Sequence, residues 1–194
     1  MAPQPRVLSR YERTEDGRVI IDVAAARVEE LYNNFDKGAP FIRRDLDQDL
    51  VDYLIGCARE LHRSPFVLRF TLGEPPDGEK QSRIRRSVNA YFLYLADVER
   101  EHVGQMFRRA TILFCIGLAI LFVSIYVNRA LGEARSVVGN VFAEGLTVAA
   151  WVSLWESLAT VLIEWAPHRR KVRVFRRLAC AEVIFRRPTG GAAA

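Results

Sequence analysis

The sequence predicts an α+β membrane protein: a two-helix transmembrane hairpin attached to a small cytoplasmic α/β domain with a short sheet. Three observations predict it. Residues 110–127 (ATILFCIGLAILFVSIYV) run for eighteen positions without a charge. At 1.5 Å per residue that is about 27 Å of helix, close to the ~30 Å hydrocarbon core of a bilayer. Residues 145–165 (GLTVAAWVSLWESLATVLIEW) form a second stretch of spanning length. The third observation is that the remaining chain is charged, with its excess of cations gathered beside the apolar stretches on one side.

The composition agrees with this division. Of 194 residues, 28 are Lys or Arg and 23 are Asp or Glu, giving a formal charge of +5. Half the chain is hydrophobic, yet the mean hydropathy is close to zero, because greasy and charged parts average out. The length suits one small domain plus a membrane segment and excludes a large multidomain enzyme. Three scattered cysteines exclude a disulfide scaffold and a four-cysteine zinc site.

Taken in chain order, residues 1–17 are polar, contain Pro3, Pro5 and Gly17, and read as a flexible N-terminal tail with no signal-peptide pattern. The cytoplasmic α/β domain is expected over 18–107. Within it, RVIIDV (18–23) is β-branched and reads as a strand. Residues 25–35 are expected to make a short helix closed by Lys37-Gly38-Ala39-Pro40. Over 45–62, Leu46, Leu50, Val51, Leu54, Ile55, Ala58 and Leu61 recur at three- and four-residue steps, the mark of a helix with one buried stripe. FVLRFTL (66–72) is a second strand, and Glu74 to Gly78 a turn. Residues 83–107 repeat apolar positions at helical spacing and can run straight into the first span.

The hairpin is expected over 108–167, with spans at about 110–127 and 145–165. Arg100, Arg108 and Arg109 precede the first span; Arg169, Arg170, Lys171, Arg173, Arg176 and Arg177 follow the second. The connecting loop, 128–144, carries only Arg129 and Arg135 against Glu133 and Glu144. A Lys/Arg excess marks the cytoplasmic side, so both termini are expected in the cytoplasm. Arg outnumbers Lys by 25 to 3, which suggests GC-rich coding and, with the short layout, a bacterial inner (plasma) membrane. Residues 168–187 read as a basic helix followed by a strand, AEVIF (181–185). That strand returns on the same side and can complete the sheet. Residues 188–194 read as a flexible tail.

Few motifs carry chemistry. Asp45, Asp47, Asp49 and Asp52 imitate a calcium loop, but Leu50 and Gly56 stand where an EF-hand needs Gly and Glu. Carboxylates at a helix N-terminus account for them. His62, His102 and His168 are far apart in sequence, and no nucleophile elbow, P-loop or dinucleotide fingerprint is present. The sequence therefore predicts no catalytic, cofactor or metal site, and no enzymatic activity. The distinctive pattern lies in the second span, where Ser153, Glu156, Ser157, Thr160 and Glu164 form a polar stripe. Lipid cannot satisfy such a stripe, so it is expected to face protein or water: Glu156 is either protonated and hydrogen-bonded, or meets another subunit, or lines a polar cavity, with an oligomer contact favoured over conduction. Gly117, Ala119, Ala149, Ala150 and Ala159 allow helices to approach closely. The cations Arg169, Arg170, Lys171, Arg173, Arg176 and Arg177 are expected at anionic lipid headgroups rather than on nucleic acid.

Residues 144–178 and 31–54 (LYNNFDKGAPFIRRDLDQDLVDYL) resemble recurring stretches of an uncharacterised family of small bacterial inner-membrane proteins with a two-helix transmembrane hairpin. The resemblance implies a membrane hairpin but no activity and no functional residues. In that pattern an Arg-Pro pair often follows the second Trp, where this chain has Glu156-Ser157. The expected function is that of a non-enzymatic membrane protein acting by homo-oligomerisation, or as a scaffold or accessory subunit. The alternative is an oligomeric ion or proton channel using the stripe around Glu156.

Overall fold

In the computed structural model the described residues are 8–33, 40, 44–74, 76–131 and 137–187. Three strands, β1 (Val19–Ala25), β2 (Phe66–Leu72) and β3 (Glu182–Arg186), form one parallel sheet in the order β1-β2-β3. A parallel pair cannot be joined by a tight turn and needs a crossover of a dozen or more residues. The first crossover holds helix α1 (Gln48–Glu60). The second consists of α2 (Gly78–Leu131), α3 (Val137–Ala159), a π-helical turn (Thr160–Glu164) and α4 (Trp165–Ala179). The apolar hairpin is thus an insertion within a β-α-β connection, and the C-terminal strand does join the sheet. The chain divides into two compact units, Met1–Asp97 with Val172–Ala194, and Val98–Lys171.

The first unit owes its core to strand alternation and helix stripes meeting on one face of the sheet. Ile21 opposes Leu68, which opposes Val183; Val23 opposes Phe70, which opposes Phe185. Val51, Leu54, Ala58 and Leu61 of the α1 region pack on this face, with Ile84, Val88, Phe92 and Ala96 of α2 and Phe175 and Leu178 of α4. On the other face the register sets Asp22 beside Arg69. The Arg69 guanidinium takes both carboxylate oxygens of Asp22 and reaches Glu12 at 2.6 Å. These two anions push the Arg69 pKa further up.

Local chemistry sets the ends of α1. Asp47 caps the N-terminus, its Oδ1 accepting from the Asp49 and Leu50 amides at 3.0 and 3.3 Å. The acidic run is therefore a helix start, as the macrodipole favours. At the other end His62 adopts φ 47°, the left-handed conformation that reverses a chain leaving a helix.

Several expected boundaries move. Residues 25–33 make no α-helix: Ala25 closes β1, and Val28–Leu31 form a single 3-10 turn. Positions 34–39 of that expectation, with Lys37-Gly38-Ala39, lie outside the described residues. The parts of the two tails at 1–7 and 188–194 lie outside them too. Residues 8–17 do not hang free. The Ile20 amide donates to Glu12 O, and a turn through Gly17 (φ 83°) brings Thr14 against Arg18. Of the expected loop at 128–144, the stretches 128–131 and 137–144 are helical, and 132–136 lie outside the described residues.

The second helix of the hairpin runs on through Pro167 into the expected basic helix without a break. Proline lacks an amide proton and its ring collides with the carbonyl four residues back, which here is Ile163. The π-helical turn at Thr160–Glu164 sits directly before it. By widening the hydrogen-bond ladder it lets the helix pass through Pro167 and continue as α4.

Two helices are long and apolar enough to cross a membrane, Gly78–Val127 and Glu144–Ala179. Only 17% and 11% of their most apolar windows are buried, so neither is packed like the core helix of a globule.

Candidate functional site

The hairpin of the second unit is built on a strict repeat. Along α2 the residues turned inward are Val103, Met106, Ala110, Leu113, Gly117, Ile120, Ser124 and Val127, at alternating steps of three and four. That 3.5-residue period keeps one seam facing a partner helix, as in a coiled coil. Within the apolar stretch every second member is small: Ala110, Gly117 and Ser124. Small residues let backbones approach where no hydrophobic force between helices is available.

Three contacts fix how the two helices pair. Ser157 Oγ donates to Ala110 O at 2.8 Å. A Cβ added at Gly117 would lie 3.0 Å from Ser153 Cβ and 3.2 Å from the Leu154 amide nitrogen. The Ser124 and Thr147 hydroxyls meet at 2.7 Å. As the α2 number rises from 110 to 124, the partner number falls from 157 to 147, so the pairing is antiparallel. Gly117 and Ala150 are buried in this seam, Ala159 is half-buried, and Ala119 and Ala149 face outward.

This pairing divides the predicted polar stripe. Ser157 is buried and bonded to the first helix, and Ser153 is half-buried with its hydroxyl on Ala149 O at 3.0 Å. Thr160 is half-buried in the π-helical turn, whereas Glu156 and Glu164 are exposed. The stripe had seemed continuous because helical spacing alone cannot show which side faces the neighbouring helix. Glu156 also changes depth. Sequence position puts it near the middle of 145–165, but its neighbour Ser157 is bonded to Ala110, the first residue of the uncharged stretch. Glu156 therefore lies about level with Ala110 and Thr111 of the first helix, within about one helical turn of Arg108 and Arg109 along the axis.

Beyond that level the two helices meet through charge. His168 Nδ1 lies 2.6 Å from Glu99 Oε1, and Lys171 Nζ lies 3.4 Å from the same oxygen. The Glu99 side chain is only 12% exposed, so two basic groups enclose its carboxylate. Arg169 stacks over the Trp165 ring at 4.9 Å. Sequence reasoning missed the His168–Glu99 contact, because its members are 69 positions apart. The seam repeat contains the signal: Glu99 precedes Val103 by one four-residue step.

The predicted headgroup cations do not form one class. Arg169, Arg170, Arg173 and Arg176 are exposed, and Lys171 is half-buried on Glu99. Arg177 is not a headgroup residue. Its guanidinium donates to the carbonyls of Ala58, His62 and Ser64, at 3.3 Å for Ala58 and 2.7 Å for Ser64, and stacks on Phe66 at 4.8 Å. It satisfies carbonyls at the end of α1 that would otherwise lack partners. Burial there lowers its pKa.

The sheet unit has two clefts. One, of about 400 Å³, lies at the carboxyl ends of β1 and β2 and is lined by Arg27, Glu29, Glu74, Lys80 and Arg83 among others. There the chain passes so closely that a side chain on Gly73 would meet Ala26 O at 2.8 Å. The other, of about 490 Å³, holds Tyr11, Tyr53, Cys57 and Glu60. Tyr11 donates to Glu60 at 2.8 Å and Tyr53 to Asp22 O at 2.9 Å. Burial, followed by the Cys57 thiol, pushes Tyr53 up to about 12. Burial raises Tyr11 as well, reinforced by Cys57 and Glu60. Among the described residues no group of three His, Cys, Asp or Glu side chains is placed to hold a metal ion.

The chain matches no protein-family profile, no curated protein and no solved structure.

Proposed function

We propose that the chain is a non-enzymatic integral protein of the bacterial inner membrane. Its hairpin crosses the bilayer twice, both termini and the sheet unit are cytoplasmic, and the protein works by assembly, as an oligomerising scaffold or accessory subunit. The observation that carries this reading is the inversion of the hairpin. Phe114, Phe122, Val141, Phe142, Trp151 and Trp155 are exposed, while Ala110, Gly117, Ser124 and Ser157 are enclosed. In water that arrangement leaves a large apolar surface uncovered. In lipid it is the expected one, since the helices pack through small residues and present their large side chains to hydrocarbon.

The cations support the orientation. Exposed Arg108 and Arg109 stand at the start of the first span, and exposed Arg169, Arg170, Arg173 and Arg176 follow the second. Near an anionic membrane surface each contributes about 1 kcal/mol. A conducting path along the stripe has less support, because the Ser153 and Ser157 hydroxyls are already bonded inside the hairpin.

Carbonate extraction of membranes and thiol labelling test the proposal together. The protein should remain in the carbonate-washed membrane. In a cysteine-free background, Arg129→Cys should react with an impermeant maleimide in cells with a permeabilised outer membrane. A cysteine retained at Cys180 should react only after lysis. Release by carbonate would sink the membrane reading, and labelling of both positions in unlysed cells would sink the orientation.

A further inference from the structure

We infer that Glu156 of one chain pairs with Arg108 and Arg109 of a second copy lying in the same orientation, which makes this charge set the self-association surface of the hairpin. The inference rests on the membrane reading above and names the partner and the contact through which assembly occurs.

Glu156, Arg108 and Arg109 are all exposed, and none forms an ion pair or hydrogen bond among the described residues. They also share one level. Because Ser157 Oγ is bonded to Ala110 O at 2.8 Å, Glu156 is displaced from Ala110 by about one residue rise, ~1.5 Å along the axis. Arg109 and Arg108 precede Ala110 by one and two residues. The backbones of Glu156, Arg108 and Arg109 therefore fall within about one helical turn of one another along the axis.

The surroundings of Glu156 are apolar. Val152 and Trp155 on its own helix are exposed, as are Leu158 and Leu162 beyond it. On α2, Ile112 and Phe114 at nearly the same level also face outward. A carboxylate on such an apolar surface is better held beside a group of opposite sign than left alone. The hydrocarbon offers Glu156 no cation. A second hairpin in the same orientation offers two, at the same depth. Copies related by an axis along the membrane normal keep their levels, and a twofold axis makes the contact reciprocal: each Glu156 meets the other chain's Arg108 and Arg109.

The test uses the full-length protein in native membranes and then in lipid nanodiscs, with assembly read by cross-linking and native mass spectrometry. Flotation of every variant with lipid vesicles is checked first. The wild type should be oligomeric, and Glu156→Gln should weaken self-association by at least about tenfold, as expected for loss of a charge-assisted contact. Two charge-reversed chains carry the decisive comparison. Glu156→Lys alone, and Arg108→Glu with Arg109→Glu alone, should each be monomeric. Co-expressed with different tags, they should recover a mixed oligomer, because every contact between the two variants is then attractive.

Floating wild-type protein that stays monomeric would overturn the inference and leave the membrane reading intact. So would an oligomer unaffected by Glu156→Gln, or a failure of the two reversed chains to rescue each other while both still float. A wild type that does not float would overturn both.

Discussion

The two units use similar apolar residues in opposite ways. In the sheet unit Phe70, Phe92 and Leu68 are fully enclosed, and the charges of Arg69, Asp22 and Glu12 lie on the outer face. In the hairpin Phe122, Trp151 and Trp155 are outside, and Gly117, Ala150 and Ser157 are inside. On the membrane reading proposed above, the difference follows the solvent that each segment meets. Where water is outside, large apolar side chains gain by meeting one another. Where hydrocarbon is outside, they gain nothing by it, and close packing of small residues decides which faces meet.

The sharpest way to break this comparison is a truncation made in both units. Phe70→Ala should destabilise the sheet unit by about 3–5 kcal/mol, and Phe122→Ala should leave hairpin packing unchanged. Denaturant titration of the full chain in detergent, followed by hydrogen exchange resolved by segment, reads both. Equal losses at the two positions would mean the hairpin is packed like a soluble core.

Removal of the α1 cap comes next. Arg177→Met keeps much of the packing on Phe66 but strips donors from three carbonyls, and should cost about 1–3 kcal/mol. Exchange protection should fall at the C-terminal turn of α1, with no change in membrane association. A selective loss of binding to anionic vesicles would instead return Arg177 to the headgroup class.

In the hairpin, Gly117→Leu should force the helices apart at a cost of about 1–3 kcal/mol. An otherwise cysteine-free chain with Ser124→Cys and Thr147→Cys reports it. The pair should oxidise readily to a disulfide, and adding Gly117→Leu should slow that closure. Unchanged cross-linking would mean Gly117 does not lie in the seam. Ser157→Ala should cost about 1 kcal/mol, seen as a small drop in hairpin melting.

The smallest effect is alkaline. Tyr53 titrates near 12 when folded, against 10.0 for an ordinary tyrosine, so the fold favours the neutral phenol. Its contribution is complete below pH 10 and is lost as pH rises through about 12. Tyr53→Phe should flatten the pH dependence of stability in that window, and the phenolate absorbance of Tyr53 should develop late. Normal titration at 10 in the folded chain would place the ring in water.

Much of the architecture was legible because it depends on local pattern. FVLRFTL fixed β2 to the residue, and the three-and-four spacing of Leu50, Val51, Leu54, Ala58 and Leu61 located α1. The uncharged run 110–127 announced itself. By contrast, residues 25–33 of the expected helix form none: Ala and Glu favour helices, yet Ala25 is spent in pairing with Leu72. Tertiary pairing overrides weak local propensity. Helical spacing likewise revealed the stripe from Ser153 to Glu164, but not which of its members met the other helix.

By itself, then, the sequence determined the kinds of element, the segregation of grease from charge, and the side on which the cations gather. Each of these is set by neighbours within a few residues. Only the tertiary structure decided that β3 lies beside β2, that Arg177 closes α1, that His168 meets Glu99, and that Glu156 lies about level with Ala110 of the first helix. Those four facts join residues 47 to 119 positions apart, and none has a local energetic signature. Each depends on which surfaces fit once the helices have formed, through strand register in one unit and the approach permitted by Gly117 in the other.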